Sequence, residues 1–406
     1  MNAYQNGALD MHRSLRREGF QMSDIVAFHY NVSESELSGL RARIRQTRFP
    51  DQPAEQRAWN TGSDLLYMQQ LAQYWSETFD WRQQEARLNA FRQYTVEMDG
   101  INLHFVHEPA ERPEAPMLLL CHGWPGSVYE FLDVIPRLTH PSKYGGKAEH
   151  AVTVVAPSLP GYGLSYRPGQ KRFGISAIAD CLARLMTEKL GVSRFFVQGG
   201  DWGAFVAARI AMFHAASVIG VHVNLLPVRR DPTYFKVETE AEKQFVQEMD
   251  HWRHHDMGYI WIQGTRPQTL AYGLTDSPVG LAAWMVEKFR AWTDCGGDLE
   301  SALQRDHILA MISFYWFTGA IGSSFWPYYE RLNGEWPFPE SSRIEVPAAY
   351  SQFPAEPLRP PRSIAETLFA DIRQWTEMPK GGHFGALEQP QLFAEDVIAF
   401  IEKLGR

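Results

Sequence analysis

The stretch that decides the fold lies near the middle of the chain and reads Phe195-Phe196-Val197-Gln198-Gly199-Gly200-Asp201-Trp202-Gly203-Ala204-Phe205-Val206-Ala207-Ala208. It opens with a short apolar run typical of a buried strand and ends in Ala-rich apolar sequence typical of a helix. Glycines two positions before and two positions after Asp201 allow a sharp turn and close packing of strand against helix. The pattern therefore predicts an elbow that presents Asp201 above the edge of a sheet.

A carboxylate in that position can act as a nucleophile. The pattern is Gly-x-Asp-x-Gly, in which aspartate takes the place that serine has in serine hydrolases, and a helix N-terminus favours the ionised form. No serine of the chain has glycine at both of these positions. Taken alone, the five residues are more typical of a Gly-rich turn with an Asp helix cap. The rest of the chain favours the nucleophile.

Composition excludes several classes of protein. The 406 residues, 45% of them hydrophobic, can bury a large core. A net charge of -8 with scattered Lys and Arg argues against a nucleic-acid partner. Three widely spaced cysteines, Cys121, Cys181 and Cys295, predict neither a disulfide framework nor a zinc site and fit a cytoplasmic location. Without a run of about 18 apolar residues or a signal-peptide core, no membrane anchor is expected.

Four segments are predicted from changes in composition and periodicity. Residues 1–25 are polar and aperiodic, which predicts a disordered tail. Residues 26–92 predict a helical meander, because Ser33 and Glu36 form a capping box and a second apolar stripe follows Asp64. Residues 93–235 and 336–406 form the predicted α/β core. The helical, aromatic-rich residues 236–335 are predicted to be a cap inserted between late strands.

The core is predicted to be an α/β sheet with mostly parallel strands. A hairpin is expected around Asp99-Gly100, and further strands are expected at residues 117–121, 152–156, 195–198, 218–224, 346–350 and 372–378. Helical patterns alternate with these strands. Open sheets of this kind bind ligands at the carboxyl ends of their strands. We therefore expect the site to lie between cap and core.

Two further groups can complete a catalytic triad. His383 lies in Gly381-Gly382-His383-Phe384, directly after the last predicted strand, and Glu356 lies in a proline-framed loop after strand 346–350. Hydrolases with such an elbow have nucleophile, acid and His in that chain order. Glu345 and Asp371 lie before strands instead of after them, and Glu388 follows the His in the sequence. Glu356 is therefore the predicted acid.

An oxyanion hole is predicted from two backbone amides. One belongs to Trp202, directly after the nucleophile, and the other to Trp124 in the loop Cys121-His122-Gly123-Trp124-Pro125-Gly126-Ser127. Pro125 has no N–H and cannot supply it.

These motifs resemble the microsomal-type epoxide hydrolases of the α/β-hydrolase superfamily. The resemblance extends from about residue 27 to the C-terminus and includes the loop at 122–127, the elbow at 199–203 and the loop at 381–384. Its most specific part is the cap sequence at 258–270 and 276–284. Vertebrate members begin with a membrane anchor, and membrane association is not expected for this sequence.

The resemblance implies the chemistry. Asp201 attacks an epoxide carbon to form an ester, and His383, oriented by Glu356, activates the water that releases a vicinal diol. Two cap tyrosines donate protons; the first is Tyr259, and the second is Tyr328, with adjacent Tyr329 as the alternative. No metal or organic cofactor is required. The many cap aromatics favour a bulky, apolar epoxide.

Two other functions stay open. A haloalkane dehalogenase uses the same aspartate elbow but stabilises a departing halide with indole or amide N–H groups, and an inactive chain could serve as a small-molecule receptor. The spacing of His251, His254, His255 and Asp256 could bind a metal but is more typical of a polar cap surface. The oligomeric state is open, with a homodimer as one option.

Overall fold

A nine-stranded sheet forms the centre of the molecule. The structure is a computed structural model, and it describes residues 24–55 and 57–405. The strands are β1 Ile25–Phe28, β2 Gln93–Met98, β3 Ile101–Glu108, β4 Met117–Cys121, β5 Thr153–Pro157, β6 Phe195–Gly199, β7 Val218–Val223, β8 Ala348–Gln352 and β9 Ile372–Glu377. Their spatial order is β1-β2-β3-β5-β4-β6-β7-β8-β9.

The sheet has an antiparallel part and a parallel part. Strands β1, β2, β3 and β5 pair antiparallel, and the pairs from β5 through β4, β6, β7 and β8 to β9 are parallel. The predicted hairpin joins β2 to β3, with Asp99 at φ 52° and Gly100 at φ 76° in a two-residue turn. Every residue of β6 is buried. The mostly parallel sheet predicted from the sequence is confirmed.

The first strand corrects the prediction for the N-terminal region. The sequence predicts the end of a tail and the start of a helical meander at residues 25–28. In the structure Ile25–Phe28 is a strand that pairs with β2, with Ile25 opposite Val96 and Phe28 opposite Gln93. A segment of four residues is too short to show a periodicity. Its pairing at the sheet edge also depends on the backbone of a strand that is distant in the sequence. The rest of the predicted tail, residues 1–23, lies outside the described residues.

Three helices follow β1 in the chain, before strand β2. They are α1 Glu34–Arg45, α2 Leu65–Glu77 and α3 Trp81–Asn89. The capping box is present, because the Ser33 hydroxyl accepts from the Glu36 amide and the Glu36 carboxylate accepts from the Ser33 amide. Helix α3 was not predicted; Asp80 caps it by accepting from the Arg82 amide at 2.9 Å.

The remaining helices of the core flank the sheet, and the helical insertion lies between β7 and β8. The core helices are α4 Ile135–Thr139, α5 Ile175–Arg184, which continues as a π-helical turn at Leu185–Lys189, and α6 Trp202–Phe213. The insertion contains α7 Glu240–His255, α8 Gly258–Thr265, α9 Pro267–Asp276, α10 Pro278–Trp292, α11 Leu299–Ala302, α12 Arg305–Thr318, α13 Ile321–Ser324 and α14 Trp326–Asn333. After it come α15 Arg362–Ala365, α16 Gly385–Glu388 and α17 Pro390–Lys403.

Within residues 24–55 and 57–405, no single helix combines the length and the apolar composition that crossing a bilayer requires. Arg305–Thr318 and Ile321–Asn333 reach both thresholds only when taken together, across a bend of 103°.

Candidate active site

Asp201 lies at the tip of the turn between β6 and α6. Its backbone has φ 49° and ψ −127°, and such a conformation costs a non-glycine residue about 1–3 kcal/mol and is common at functional sites. A Cβ added to Gly203 would overlap the carbonyl oxygen of Cys121, and one added to Gly199 would overlap the carbonyl oxygen of Gly203. Only glycine at these positions lets the strand and the helix approach so closely.

The Asp201 carboxylate points away from helix α6. Its side chain makes no capping hydrogen bond to that helix, so a simple helix cap does not describe it. Oδ1 accepts the Trp124 amide at 2.8 Å, and Oδ2 lies 3.5 Å from Nε2 of His383. One oxygen is therefore held by the backbone, while the other faces the imidazole.

His383 is fixed by contacts on two sides. Its Nδ1 lies 2.8 Å from Oε2 of Glu356, where the carboxylate accepts the Nδ1 proton, and its backbone amide donates to the Trp292 carbonyl at 2.8 Å. Both His383 and Glu356 are buried. Burial alone would lower the pKa of His383, but the charges of Glu356 and Asp201 outweigh it and raise that pKa.

Two of the other acids considered from the sequence, Glu388 and Asp371, have different partners, and Glu345 is exposed. Glu388 accepts the amides of Asp294 at 2.8 Å and Phe384 at 3.1 Å, which stabilises the loop that carries His383. Oδ1 of Asp371 lies 2.5 Å from Nε of Arg373. Glu356 is thus the predicted acid that the fold brings to the histidine.

Two tyrosines of the cap enclose the nucleophile from above. Tyr259 on α8 and Tyr328 on α14 have ring centroids 5.7 Å apart; Tyr259 stacks on Trp124 at 5.7 Å and Tyr328 meets Trp202 edge-on at 4.7 Å. Burial raises the pKa of both phenols well above its ordinary value, and the charge of Asp201 raises it further. Both are therefore protonated at neutral pH.

The neighbouring tyrosine points elsewhere. Tyr329 stacks on Trp326 with ring centroids 4.7 Å apart, whereas Tyr328 lines the same cavity as Asp201. The Tyr328 hydroxyl has no hydrogen-bond partner among the described residues. Of the two candidates that the sequence left open, the fold brings Tyr328 to the site.

Two cavities meet at Asp201. The larger, about 550 Å³, lies between cap and core and is lined by Asp201, Trp202, Tyr259 and Tyr328. The smaller, about 10 Å³, is lined by Asp201, His383 and Glu130, and a space of this size is about what one ordered water needs. A substrate-sized space and a water-sized space therefore flank one carboxylate.

Glu130 was missed from the sequence. Burial raises the pKa of its carboxyl to about 8, and the charge of Asp201 acts in the same direction, against the opposing charge of His383. A charged residue in the apolar run Val128-Tyr129-Glu130-Phe131-Leu132, just after the Trp124 loop, was the available signal.

Comparisons with known proteins identify the family of the chain. The model of the epoxide hydrolase N terminus matches residues 25–131, and that of the alpha/beta hydrolase fold matches residues 116–254. Epoxide hydrolase 1 of Sus scrofa is 34% identical, covering 93% of this chain and 88% of its own. Epoxide hydrolase 1 of Oryctolagus cuniculus is 33% identical, covering 95% of this chain and 90% of its own. The chain belongs to the epoxide hydrolase family.

Two solved structures of epoxide hydrolases match nearly the whole chain. The Aspergillus niger epoxide hydrolase is 31% identical with a TM-score of 0.81, over 93% of this chain and 96% of its own. The juvenile hormone epoxide hydrolase of the silkworm Bombyx mori is 29% identical with a TM-score of 0.84, over 96% of both chains. The epoxide hydrolase family and the α/β-hydrolase fold inferred from the sequence are confirmed.

Proposed function

We propose that this epoxide hydrolase opens its substrate with Asp201 and releases a vicinal diol by hydrolysis of the resulting ester. The observation that carries the proposal is the carboxylate of Asp201, with one oxygen on the Trp124 amide and the other facing His383. Oδ2 attacks a ring carbon and the carbon–oxygen bond of the ring breaks. Tyr259 and Tyr328 hydrogen-bond the leaving oxygen, and one of them protonates it.

The second half-reaction uses the water-sized cavity beside Asp201. His383 takes a proton from water held there, and the oxygen of that water attacks the ester carbonyl carbon. Oδ1 then carries the negative charge, which the Trp124 amide stabilises and to which the Trp202 amide is expected to contribute. The intermediate collapses by breaking the bond between the carbonyl carbon and the original Oδ2, and His383 returns its proton to that oxygen as the diol leaves. The oxygen from water stays in Asp201, and its remaining proton restores the tyrosine that protonated the ring oxygen.

The charges order these two steps. In the free enzyme, Asp201 is one of the groups that raise the pKa of His383. Esterification removes that negative charge, so the pKa of His383 falls and the neutral imidazole becomes available as a base. His383 therefore becomes a neutral base once the ester has formed.

A haloalkane dehalogenase is the second candidate, and one observation favours it. The buried indole N–H groups of Trp124 and Trp202 have no hydrogen-bond partner within the described part of the chain, and such groups can stabilise a departing halide. The two phenols beside them favour an epoxide, whose leaving oxygen needs a proton.

One assay separates the two candidates. In this assay the protein would be incubated with an aryl epoxide and, separately, with a chlorinated alkane, and the diol and the free halide would be measured. Diol without halide is the expected result, and halide without diol would reject the proposal.

We further infer a cytoplasmic location and leave a homodimer as a prediction. Support for the location comes from Cys121, Cys181 and Cys295, which are buried and unpaired. Fractionation of cells that express the protein tests the location, and light scattering tests the dimer.

A further inference from the structure

The wall of the large cavity carries an unusual concentration of positive charge. Four arginines line it together with the nucleophile: Arg229, Arg230, Arg253 and Arg331. The first two follow β7 in the core, the third lies on α7 and the fourth on α14. Asp231 is the one acidic residue besides Asp201 in this lining. A cavity that served apolar epoxides alone would not need four guanidinium groups.

Protein carboxylates do not neutralise these arginines. Within residues 24–55 and 57–405, Arg230, Arg253 and Arg331 have no carboxylate oxygen within 4.0 Å, and Arg229 lies 3.8 Å from Glu340, whose side chain is 74% exposed. Asp231 accepts instead from the amide and hydroxyl of Thr233, at 3.0 and 2.8 Å. The hydrogen bonds from Thr233 lower the pKa of Asp231, and the charges of Arg253 and Arg229 lower it further. An exposed pair at 3.8 Å is weak, so Asp231 offsets part of the positive charge and an excess remains on the wall.

Arg331 and Arg229 are held in place by an aromatic ring. Their guanidinium carbons lie 4.0 and 5.0 Å from the ring centre of Trp336. Burial, together with the like charges of Arg230 and Arg229, lowers the pKa of Arg331 to about 10. A partly buried arginine surrounded by other arginines is costly unless an anion binds there. The ring positions the guanidinium groups before any ligand arrives.

The arginines lie within reach of the reacting groups. Arg331 follows Tyr328 by three residues on α14, so both side chains project from one face of the helix, about one turn apart. Arg230 is close enough to Tyr259 for its charge to oppose the rise in that tyrosine's pKa. Trp252 and Trp261 also line the cavity and supply apolar surface.

We propose that the preferred substrates are epoxides of carboxylic acids, in which a hydrocarbon segment joins the epoxide to a carboxylate. The epoxide lies on Asp201 below Tyr259 and Tyr328, the hydrocarbon segment packs on the tryptophans, and the guanidinium groups bind the carboxylate, whose planar geometry they match. The inference rests on the proposed function and replaces the expectation of a purely apolar substrate.

The test compares terminal epoxides of alkanoic acids with their methyl esters at several chain lengths. Since charge-assisted hydrogen bonds contribute roughly 1.5–3 kcal/mol, we expect kcat/KM for the acid to exceed that for the ester by about ten- to a hundredfold. Arg331→Gln and Arg230→Gln should each reduce this preference, mainly through KM for the acid. Arg266→Gln, which changes an exposed cap arginine outside the cavity lining, is the matched control and should retain it.

The outcomes distinguish this inference from the function on which it rests. If the methyl ester is opened but the acid has no advantage, or if Arg331→Gln retains the full advantage, the inference is wrong and the function stands. If neither compound gives diol, the proposed function fails first. Competitive inhibition by saturated alkanoates, with none by their methyl esters, gives a readout of the anion site that needs no turnover.

Discussion

The two faces of the cavity, core and cap, hold their functional groups in different ways. On the core face, Asp201 and His383 lie on glycine-rich turns directly after strands, and each has a fixed partner within hydrogen-bonding distance. On the cap face, Tyr328 and Arg331 project from a helix. Among the residues that the structure describes, the Tyr328 hydroxyl has no hydrogen-bond partner, and the Arg331 guanidinium packs on Trp336 with no carboxylate oxygen within 4.0 Å. The core face thus holds the groups that make and break bonds, whereas the cap face presents polar groups that can bind the substrate.

The largest expected effect comes from the nucleophile of the core face. Asp201→Ala should lower diol formation by on the order of 10⁴-fold or more, because Asp231, the other carboxylate in the lining of the large cavity, is held by the amide and hydroxyl of Thr233. Steady-state diol production measures it, and circular dichroism checks the fold. Near-normal turnover by a folded variant would remove Asp201 from the mechanism.

Loss of the base should separate the two half-reactions. His383→Gln should lower turnover by about 10²- to 10⁴-fold while the ester accumulates, and mass spectrometry should detect protein heavier by the mass of one substrate. Unmodified His383→Gln protein after exposure to substrate would contradict this order of steps.

The wild-type pH profile follows from the same base. Because His383 must be neutral to accept a proton, ester hydrolysis should slow as the pH falls through the pKa of His383 in the ester. Ring opening should be insensitive in that range, because burial keeps both phenols protonated. Single-turnover experiments measure the two steps separately. If ester hydrolysis slowed as the pH was raised, His383 would not act as the neutral base in this step.

On the cap face, a smaller effect should distinguish adjacent tyrosines. Tyr328→Phe should lower the ring-opening rate by about ten- to a hundredfold, because one of two proton donors remains. Tyr329→Phe is the matched control and should open the ring at the wild-type rate, since its ring packs on Trp326. The reverse result would place Tyr329 at the site.

The sequence predicted the core face better than the cap face. The elbow and the His383 loop are local patterns of strand, glycine and turn, so their roles can be inferred without knowing the packing. Tyr259 and Tyr328 were found only through the family resemblance, because a tyrosine on an amphipathic helix is usually a packing residue. Strand β1 was missed because a four-residue edge strand has no periodic signal.

The arginines show most clearly what local patterns omit. Arg229 and Arg230 lie in a loop. Arg253 and Arg331 lie on two different helices and are 78 positions apart in the sequence. Each resembles a solvated surface charge, and only the packing of α7 and α14 over the end of β7 brings them to one cavity. The position of Arg229-Arg230 directly beyond a parallel strand was the one usable signal.

The smallest expected effect is on stability, and it compares a glycine of the core, Gly203, with a glycine of the cap, Gly273. Gly203→Ala should lower the free energy of unfolding by about 1–3 kcal/mol, because its methyl group would overlap backbone atoms of Cys121. Gly273→Ala on cap helix α9 meets no atom within 4 Å and should raise that free energy by about 0.5–1 kcal/mol. Thermal and denaturant unfolding measure both; equal effects would mean that the elbow tolerates a side chain.

A single turnover in ¹⁸O-labelled water tests most directly whether a carboxylate makes the first bond to carbon. With enzyme in excess over an aryl epoxide, the account predicts an unlabelled diol and a heavier peptide containing Asp201, because oxygen from water enters the side chain. Label in the diol from that first turnover, with an unlabelled Asp201 peptide, would show that water attacks the epoxide directly and would contradict the account.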